Sequence, residues 1–197
     1  KLITGIDSYL RMNLIQPTLD GIIVISSYLE RYYRKKLPTI CIPPLTDVCE
    51  YETIGGKNVA NDGIEIVYAG SPGKHKDKVN KIIEAIANCT NTKVHFTVIG
   101  ISKEHFLEYY PEDEEVVASL GERVSFLGKM SHKDVLLYLK RADFSIFYRA
   151  KTRVTMAGFP TKFSESISCG TPVITNLTSD LSAYLKDGIN GFIIEEN

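Results

Sequence analysis

Lys162 and Glu165 stand three residues apart in GFPTKFSESISCGTPVIT, residues 158–175. Positions three and four apart are neighbours on a helix, so Lys162, Glu165 and Cys169 share one face, while Phe163 and Ile167 share another that suits a core. Pro160 has a fixed helical φ and fits a first turn. Gly170 suits a left-handed residue after the last turn, and Pro172 blocks continuation. The spacing predicts a helix from about Thr161 to Cys169. Its start, beside Gly158, offers free backbone amides and a partial positive charge, and the Thr161 hydroxyl is placed to cap one amide. That is an anion site of the kind that holds a diphosphate. Lys162 in the first turn opposes the helix dipole unless an anion lies near. Glu165 accepts hydrogen bonds only, which suits the paired hydroxyls of a ribose. The competing reading is a solvated Lys162–Glu165 pair worth less than about 0.5 kcal/mol.

A second candidate is the loop Gly70-Ser71-Pro72-Gly73, followed by Lys74, Lys76, Lys78 and Lys81. It has neither the full dinucleotide fingerprint nor the lysine–threonine pair of a P-loop. Arg149, Lys151 and Arg153 follow an apolar run and offer further positive charge; a basic surface loop is the alternative for them. No D-x-D triplet occurs, and His75, His95, His105 and His132 are scattered. Cys41, Cys49, Cys89 and Cys169 contain no C-x-x-C spacing. We therefore expect no metal and no cofactor, and reduced thiols. Asn88-Cys89-Thr90 and Asn176-Leu177-Thr178 match the glycosylation triplet, a pattern common by chance.

These groups need a frame. Apolar runs at 64–70, 93–100, 123–128, 143–148, 172–175 and 191–196 read as strands. They alternate with helical patterns at 77–89, 111–121, 131–142, 161–169 and 179–188. Ser131 with Asp134 marks one helix start. Near-continuous apolar strands between helices imply an α/β fold, a Rossmann-like doubly wound parallel sheet. Ligands of such sheets bind at the carboxyl ends of the strands, so the loops after Ala69, Leu127, Tyr148 and Thr175 face the site. Residues 20–36 read as one more strand and a helix capped by Ser26, and 37–47, with three prolines, as a linker.

The chain has 197 residues, 44% hydrophobic and 24% charged, with a formal net charge of −1. That balance gives no reason to expect nucleic acid as a partner. No apolar run approaches the roughly 20 residues of a membrane span, and no signal peptide is visible. The chain opens inside a helical pattern (Ile3, Ile6, Leu10), as a piece of a longer protein does.

GFPTKFSESISCGTPVITN with DGINGFII closely resembles the donor-binding segment of GT-B glycosyltransferases, in particular the large retaining E-x7-E class (family 4-like, bacterial surface-polysaccharide type). DGIIVISSYL, IPPLTD, YAGSPGKHKDKVNKIIEAI and RVSFLGKMSHKDVLLYLKRADFSIF extend the likeness over about residues 20–197. The resemblance implies that 1–45 is the remnant of an N-terminal acceptor lobe plus interlobe linker. It makes 46–197 the C-terminal nucleotide-sugar donor domain of a GT-B fold, truncated at its C-terminus. It implies transfer of a sugar, a hexose with retention, from a nucleoside-diphosphate sugar (UDP- or GDP-) to a hydroxyl of a glycan or lipid-linked acceptor. The acceptor would be held by the missing lobe, in the cytoplasm or peripherally at the inner face of the membrane, and the fragment alone would be inactive. Carried over residue by residue, Glu165 holds the ribose, and Gly158, Phe159, Pro160, Thr161 and Lys162 form the diphosphate turn. Lys76 neutralises the diphosphate; Gly70 and Ser71 line it; Lys129 and Met130 meet the base; Arg149 adds charge. Lys76 and Lys162 are the catalytic candidates. Two positions depart from the pattern: Ala157 stands where the first motif glutamate belongs, and Ser71 where an arginine is usual. Two alternatives stay open: a GT-B sugar-nucleotide epimerase, which would need acid–base carboxylates around the donor sugar that Ala157 does not supply, and a non-catalytic nucleotide-binding or scaffold domain, to which the two departures point.

Overall fold

The computed structural model describes residues 2–47, 63–73 and 76–195, with side chains from residue 5 onward. Lys74, His75 and Cys49 lie outside the described residues.

The chain begins with helix α1 (Leu2–Leu10), followed by a wider π-helical turn and a 3-10 turn that end at Thr18. Strand β1 (Ile22–Val24) leads into α2 (Ser27–Tyr33), whose cap, Ser26, accepts from the Leu29 amide. Strand β2 (Thr39–Cys41) then pairs parallel with β1. The segment read as a linker is therefore partly a strand: Thr39 to Cys41 carry no proline and find a free edge on β1. Val24, Tyr33 and Leu37 form a small core of their own.

The main sheet is wholly parallel, in the order β5-β4-β3-β6-β7-β8. Its strands are β3 (Ile64–Ala69), β4 (Val94–Ile99), β5 (Val124–Gly128), β6 (Phe144–Phe147), β7 (Val173–Thr175) and β8 (Gly191–Ile193). Between them run α3 (Val79–Ala87), α4 (Lys103–Tyr109), α5 (Glu114–Leu120), α6 (His132–Arg141), α7 (Arg153–Ala157) and α8 (Thr161–Ser168). Central β3 is apolar because both its faces are covered: Ile66, Val67, Tyr68 and Ala69 are all buried. Helix α3 presents Val79, Ile82, Ile83 and Ile86 to one face; Leu136 and Leu139 of α6 cover the other.

Two further local expectations change, and two helices appear that the sequence reading did not list. Residues 111–113 form a 3-10 turn before α5 rather than the start of one helix. Residues 179–188 form only the 3-10 turn Leu181–Ala183. Ser179 sits at φ 54, outside the helical region, and the Lys186 amide donates to the Asn190 side chain (2.8 Å) instead of to a helix carbonyl. Helices α4 and α7 do not follow from apolar periodicity, being short. Their signals are hydroxyl caps: Ser102 accepts from the His105 amide, and Thr152 forms a reciprocal box with Thr155.

Candidate diphosphate-binding site

The sheet reverses winding direction between β3 and β6, the point at which open α/β sheets leave a crevice for ligands. Three segments meet there: the loop after β3, the end of β6, and the turn into α8. Gly70 ends β3 with φ 142. A Cβ on it would fall 3.0 Å from Lys162 Nζ and 3.2 Å from its Cε. Gly100, at the end of β4, lies so close that its Cβ would stand 2.2 Å from the Gly70 carbonyl oxygen. Only residues without side chains allow these loops to close on one another.

A buried carboxylate, Asp77, organises the crevice. Tyr68 Oη donates to Asp77 Oδ2 at 2.8 Å, and Lys162 Nζ donates to the same oxygen and to Tyr68 Oη (3.0 Å). Lys162 Nζ also lies 4.2 Å from the Tyr68 ring centroid, a cation–π contact. Arg149 Nε is 3.5 Å from Asp77 Oδ1. The Arg149 backbone is clamped by Asn176, whose side chain accepts from its amide (2.9 Å) and donates to its carbonyl (2.8 Å). Asn176 is 1% exposed, so its glycosylation triplet is shut away.

Two cations thus share one anion where Lys162, Arg149 and Asp77 side chains are 14%, 4% and 1% exposed. Burial pushes the Lys162 ammonium below the usual lysine range. Lys76 and Arg149 push it the same way, and Asp77 opposes them. Burial lowers Arg149 too, against Asp77 and Tyr68. The Tyr68 phenol is held well above its ordinary value by burial and then by Asp77, so it stays a neutral donor. The cluster therefore carries a surplus positive charge that an anion would balance.

The structure brings Gly70, Arg149, Gly158 and Lys162 together. Arg149 is buried, not part of a basic surface loop, and its Nη1 approaches the Gly158 carbonyl at 3.5 Å. Lys151 and Arg153 are exposed. Lys162 pairs with Asp77 and not with Glu165, so a solvated Lys162–Glu165 pair is excluded. Ser71 and Lys76 are exposed at the mouth, and Lys76 is near enough to act on Lys162. Pro160, at φ −75 and ψ 106, occupies the cap of α8, and among the described residues no side chain caps the helix. Thr161 therefore does not play the capping role expected of its hydroxyl, which leaves first-turn amides without a side-chain partner. Phe159 is buried edge-on to Phe163 and Tyr184. Glu165 is half-buried one turn into α8. Lys129 is exposed and Met130 half-buried after β5, two strands from β3. They sit on the same sheet edge, outside the Lys162 cluster.

Asp77 is the residue that sequence patterns missed. An aspartate just before an apolar helix reads as a cap. Here Lys78 holds that place without a side-chain cap, and Asp77 turns inward. The only signal was a lone acid within a lysine-rich loop.

Beside the turn, Ala157 and Gly158 border a cavity of about 890 Å³, shared with Tyr9, Tyr28, Tyr32 and Arg153. The Ala157 carbonyl is engaged by Ser26 Oγ (2.6 Å), and Asp180 accepts from the Ser27 amide (2.6 Å) and hydroxyl (2.5 Å). These bonds tie α2 to the main sheet. Among the described residues, no cluster of His, Cys, Asp or Glu is arranged to hold a metal, and no helix is long and apolar enough to cross a membrane.

Residues 52–197 match the family model described as Glycosyl transferases group 1. No curated protein sequence matches the chain. Solved structures share its fold. HepE of Anabaena, in complex with UDP-glucose, is 18% identical over 97% of this chain and 54% of its own, with a TM-score of 0.73. Sucrose-phosphate synthase of Thermosynechococcus elongatus is 22% identical over 90% of this chain and 46% of its own, with a TM-score of 0.67. The pneumococcal O-GlcNAc transferase GtfA, in complex with UDP and GlcNAc, is 18% identical over 96% of this chain and 36% of its own, with a TM-score of 0.68. The chain spans about half the length of the first two and about a third of the last.

Proposed function

The chain belongs to the glycosyl transferases group 1 family, and we propose that residues 46–197 are a donor lobe that binds a nucleoside-diphosphate sugar. The observation that carries this reading is the surplus buried positive charge at Lys162, pressed against Gly70 at the point where the sheet reverses. The first-turn amides of α8, Lys162 and Lys76 hold the diphosphate. Arg149 adds to the local field and fixes Gly158. Glu165 takes the ribose hydroxyls, and Lys129 with Met130 borders the base. Uridine is favoured over guanosine because HepE and GtfA, which share the fold, bind UDP.

The reaction is transfer of a hexose to a hydroxyl of a glycan or lipid-linked acceptor, with retention. The bond from the anomeric carbon to the diphosphate oxygen breaks, and negative charge grows on that oxygen. Amides and ammonium groups already aimed at it stabilise the charge without reorganising. No metal is required of this chemistry. Residues 1–45 belong to the acceptor lobe, whose remaining surface supplies acceptor orientation. The 197-residue chain therefore binds nucleotide without transferring sugar. The setting is cytoplasmic, peripheral at the inner membrane face when the acceptor is lipid-linked.

Titration calorimetry of the chain with UDP, GDP, ADP and uridine tests the reading. Lys162→Ala is expected to lower UDP affinity at least tenfold and leave uridine unchanged. Glu165→Ala is expected to weaken both. Unchanged UDP binding in both variants overturns the assignment, and robust transfer by the isolated chain overturns its inactivity.

A further inference from the structure

We infer that Asp77 is a positioning residue of the diphosphate site: it never touches the ligand but holds the Lys162 ammonium and the Arg149–Gly158 turn in the geometry that receives it. This rests on the donor-site reading above.

Geometry carries the inference. Asp77 is 1% exposed and reached from three directions: Tyr68 on β3, Arg149 after β6 and Lys162 on α8. It is therefore a joint between the three segments that enclose the crevice. A lysine is a point charge on a flexible four-carbon stem, and beside Arg149 it is repelled. Left alone, it would turn to water. Asp77 Oδ2 and Tyr68 Oη occupy two of its three donors and fix its direction. The third remains for a ligand oxygen.

A carboxylate placed only for stability would be balanced by one cation and have both oxygens satisfied. Asp77 instead faces two cations, and its Oδ1 has no hydrogen-bond partner among the described residues; Arg149 Nε stands off at 3.5 Å. The arrangement leaves the cations under-neutralised, which suits an incoming polyanion. Among the described residues, the titratable and charged groups facing Lys162 are Asp77, Tyr68, Arg149 and, from the mouth, Lys76. Removing the Asp77 charge leaves the ammonium among cations alone, so it surrenders its proton at lower pH and loses its fixed direction.

The test uses the 197-residue chain and Asp77→Asn, which keeps the shape and deletes the charge. The Lys162 Cε resonance is followed through a pH titration of lysine-labelled protein, with UDP and uridine affinities measured in parallel. We expect the Lys162 midpoint to fall further in Asp77→Asn, UDP affinity to drop at least tenfold, and uridine affinity to hold. A folded Asp77→Asn chain with the wild-type Lys162 midpoint and the wild-type UDP-to-uridine ratio overturns the inference. If Asp77→Asn does not fold, Tyr68→Phe decides. Loss of that hydroxyl should weaken UDP binding several-fold with uridine unchanged, and no change in the ratio overturns the proposal. Wild-type protein that binds no nucleotide refutes the donor-site reading instead. The Lys162 titration, or Lys162 side-chain order in Tyr68→Phe, still settles whether Asp77 positions the lysine.

Discussion

Lys162, at the start of α8, donates to the buried carboxylate of Asp77, 85 residues earlier in the chain. The contact joins the loop that follows the first strand of the main sheet to the helix that precedes β7. A lysine in the first turn of a helix is disfavoured by the helix dipole. Its carboxylate partner offsets that cost, and the second buried cation, Arg149, restores a net positive charge. The dipole, Lys162 and Arg149 then act in the same sense on any ligand at the mouth of the crevice.

Gly70→Ala tests the closeness of the loop to Lys162. The backbone at φ 142 resists a side chain, at a cost of about 1–3 kcal/mol. The new methyl would fall 3.0 Å from Lys162 Nζ. We expect melting lowered by several degrees and UDP affinity reduced about tenfold beyond any change in uridine affinity. Gly100→Ala, whose methyl would meet backbone and not a movable side chain, is expected to yield no folded protein. Circular dichroism melts with calorimetry check both; Gly70→Ala with wild-type UDP binding contradicts the placement of Lys162.

On the proposed donor-site reading, the lowered ammonium pKa of Lys162 makes UDP binding depend on pH. Its folded value lies below that of an unfolded lysine, about 10.4. As pH rises through that lowered value, the ammonium is lost and UDP affinity falls, while uridine affinity stays level. A bound diphosphate favours the charged form, so binding takes up protons in this window. Calorimetry in two buffers of different ionisation heat should show proton uptake for UDP and none for uridine. The sign for stability is opposite: between the folded and unfolded values the unfolded chain holds more protons, so this residue's contribution to stability rises with pH.

The strand and helix alternation was legible in the sequence because a parallel sheet covered on both faces needs nearly continuous apolar strands, and β3, β4 and β6 come close, interrupted only by Glu65, by His95 and Thr97, and by Ser145. So was α8, bracketed by Pro160 and Gly170, the latter at φ 77. The Lys162–Asp77 pair was not legible, because nothing local links residues so far apart; only the fold brings them together. Arg149 read either as charge for the site or as part of a basic surface loop, and the sequence did not decide between them, because burial of a cation is decided by a partner on another segment. The 179–188 segment misled because its apolar spacing is helical, while Ser179 leaves the helical region at φ 54 and the Asn190 side chain takes the Lys186 amide.

Asp113 lies away from the site, at the start of α5, buried at 5% exposure, its Oδ2 without a hydrogen-bond partner among the described residues. Burial raises its pKa, Glu112 and Glu84 add to the rise, and Lys81 opposes it. A carboxylate whose folded value is raised is penalised while ionised, so it costs stability above that value and nothing below its unfolded value, about 3.9. Asp113→Asn is expected to stabilise the chain by about 1 kcal/mol at pH 7. The gain should shrink to nothing as pH falls toward 4. Urea melts at pH 7 and pH 4 check this; an equal difference at both would contradict it.

Ile23 and Ile40 face each other across the β1–β2 pair and are 67% and 56% exposed. Val24 on β1 and Leu37 just before β2 pack toward α2, so one face of this small sheet is covered and the other is bare. Parallel strands are rarely left open, because the crossovers that make them parallel also cover them. Exposed apolar surface of this kind marks a place that other structure covers. The solved HepE and sucrose-phosphate synthase chains of the same fold are about twice as long as this one. The acceptor lobe proposed above would be the natural cover. Ile23→Lys with Ile40→Lys should therefore lower dye binding to apolar surface and reduce self-association of the 197-residue chain in sedimentation experiments. UDP affinity should stay within about twofold of wild type, because the pair lies outside the crevice. If the double variant loses UDP binding while remaining folded, the two sheets do not divide the labour as described.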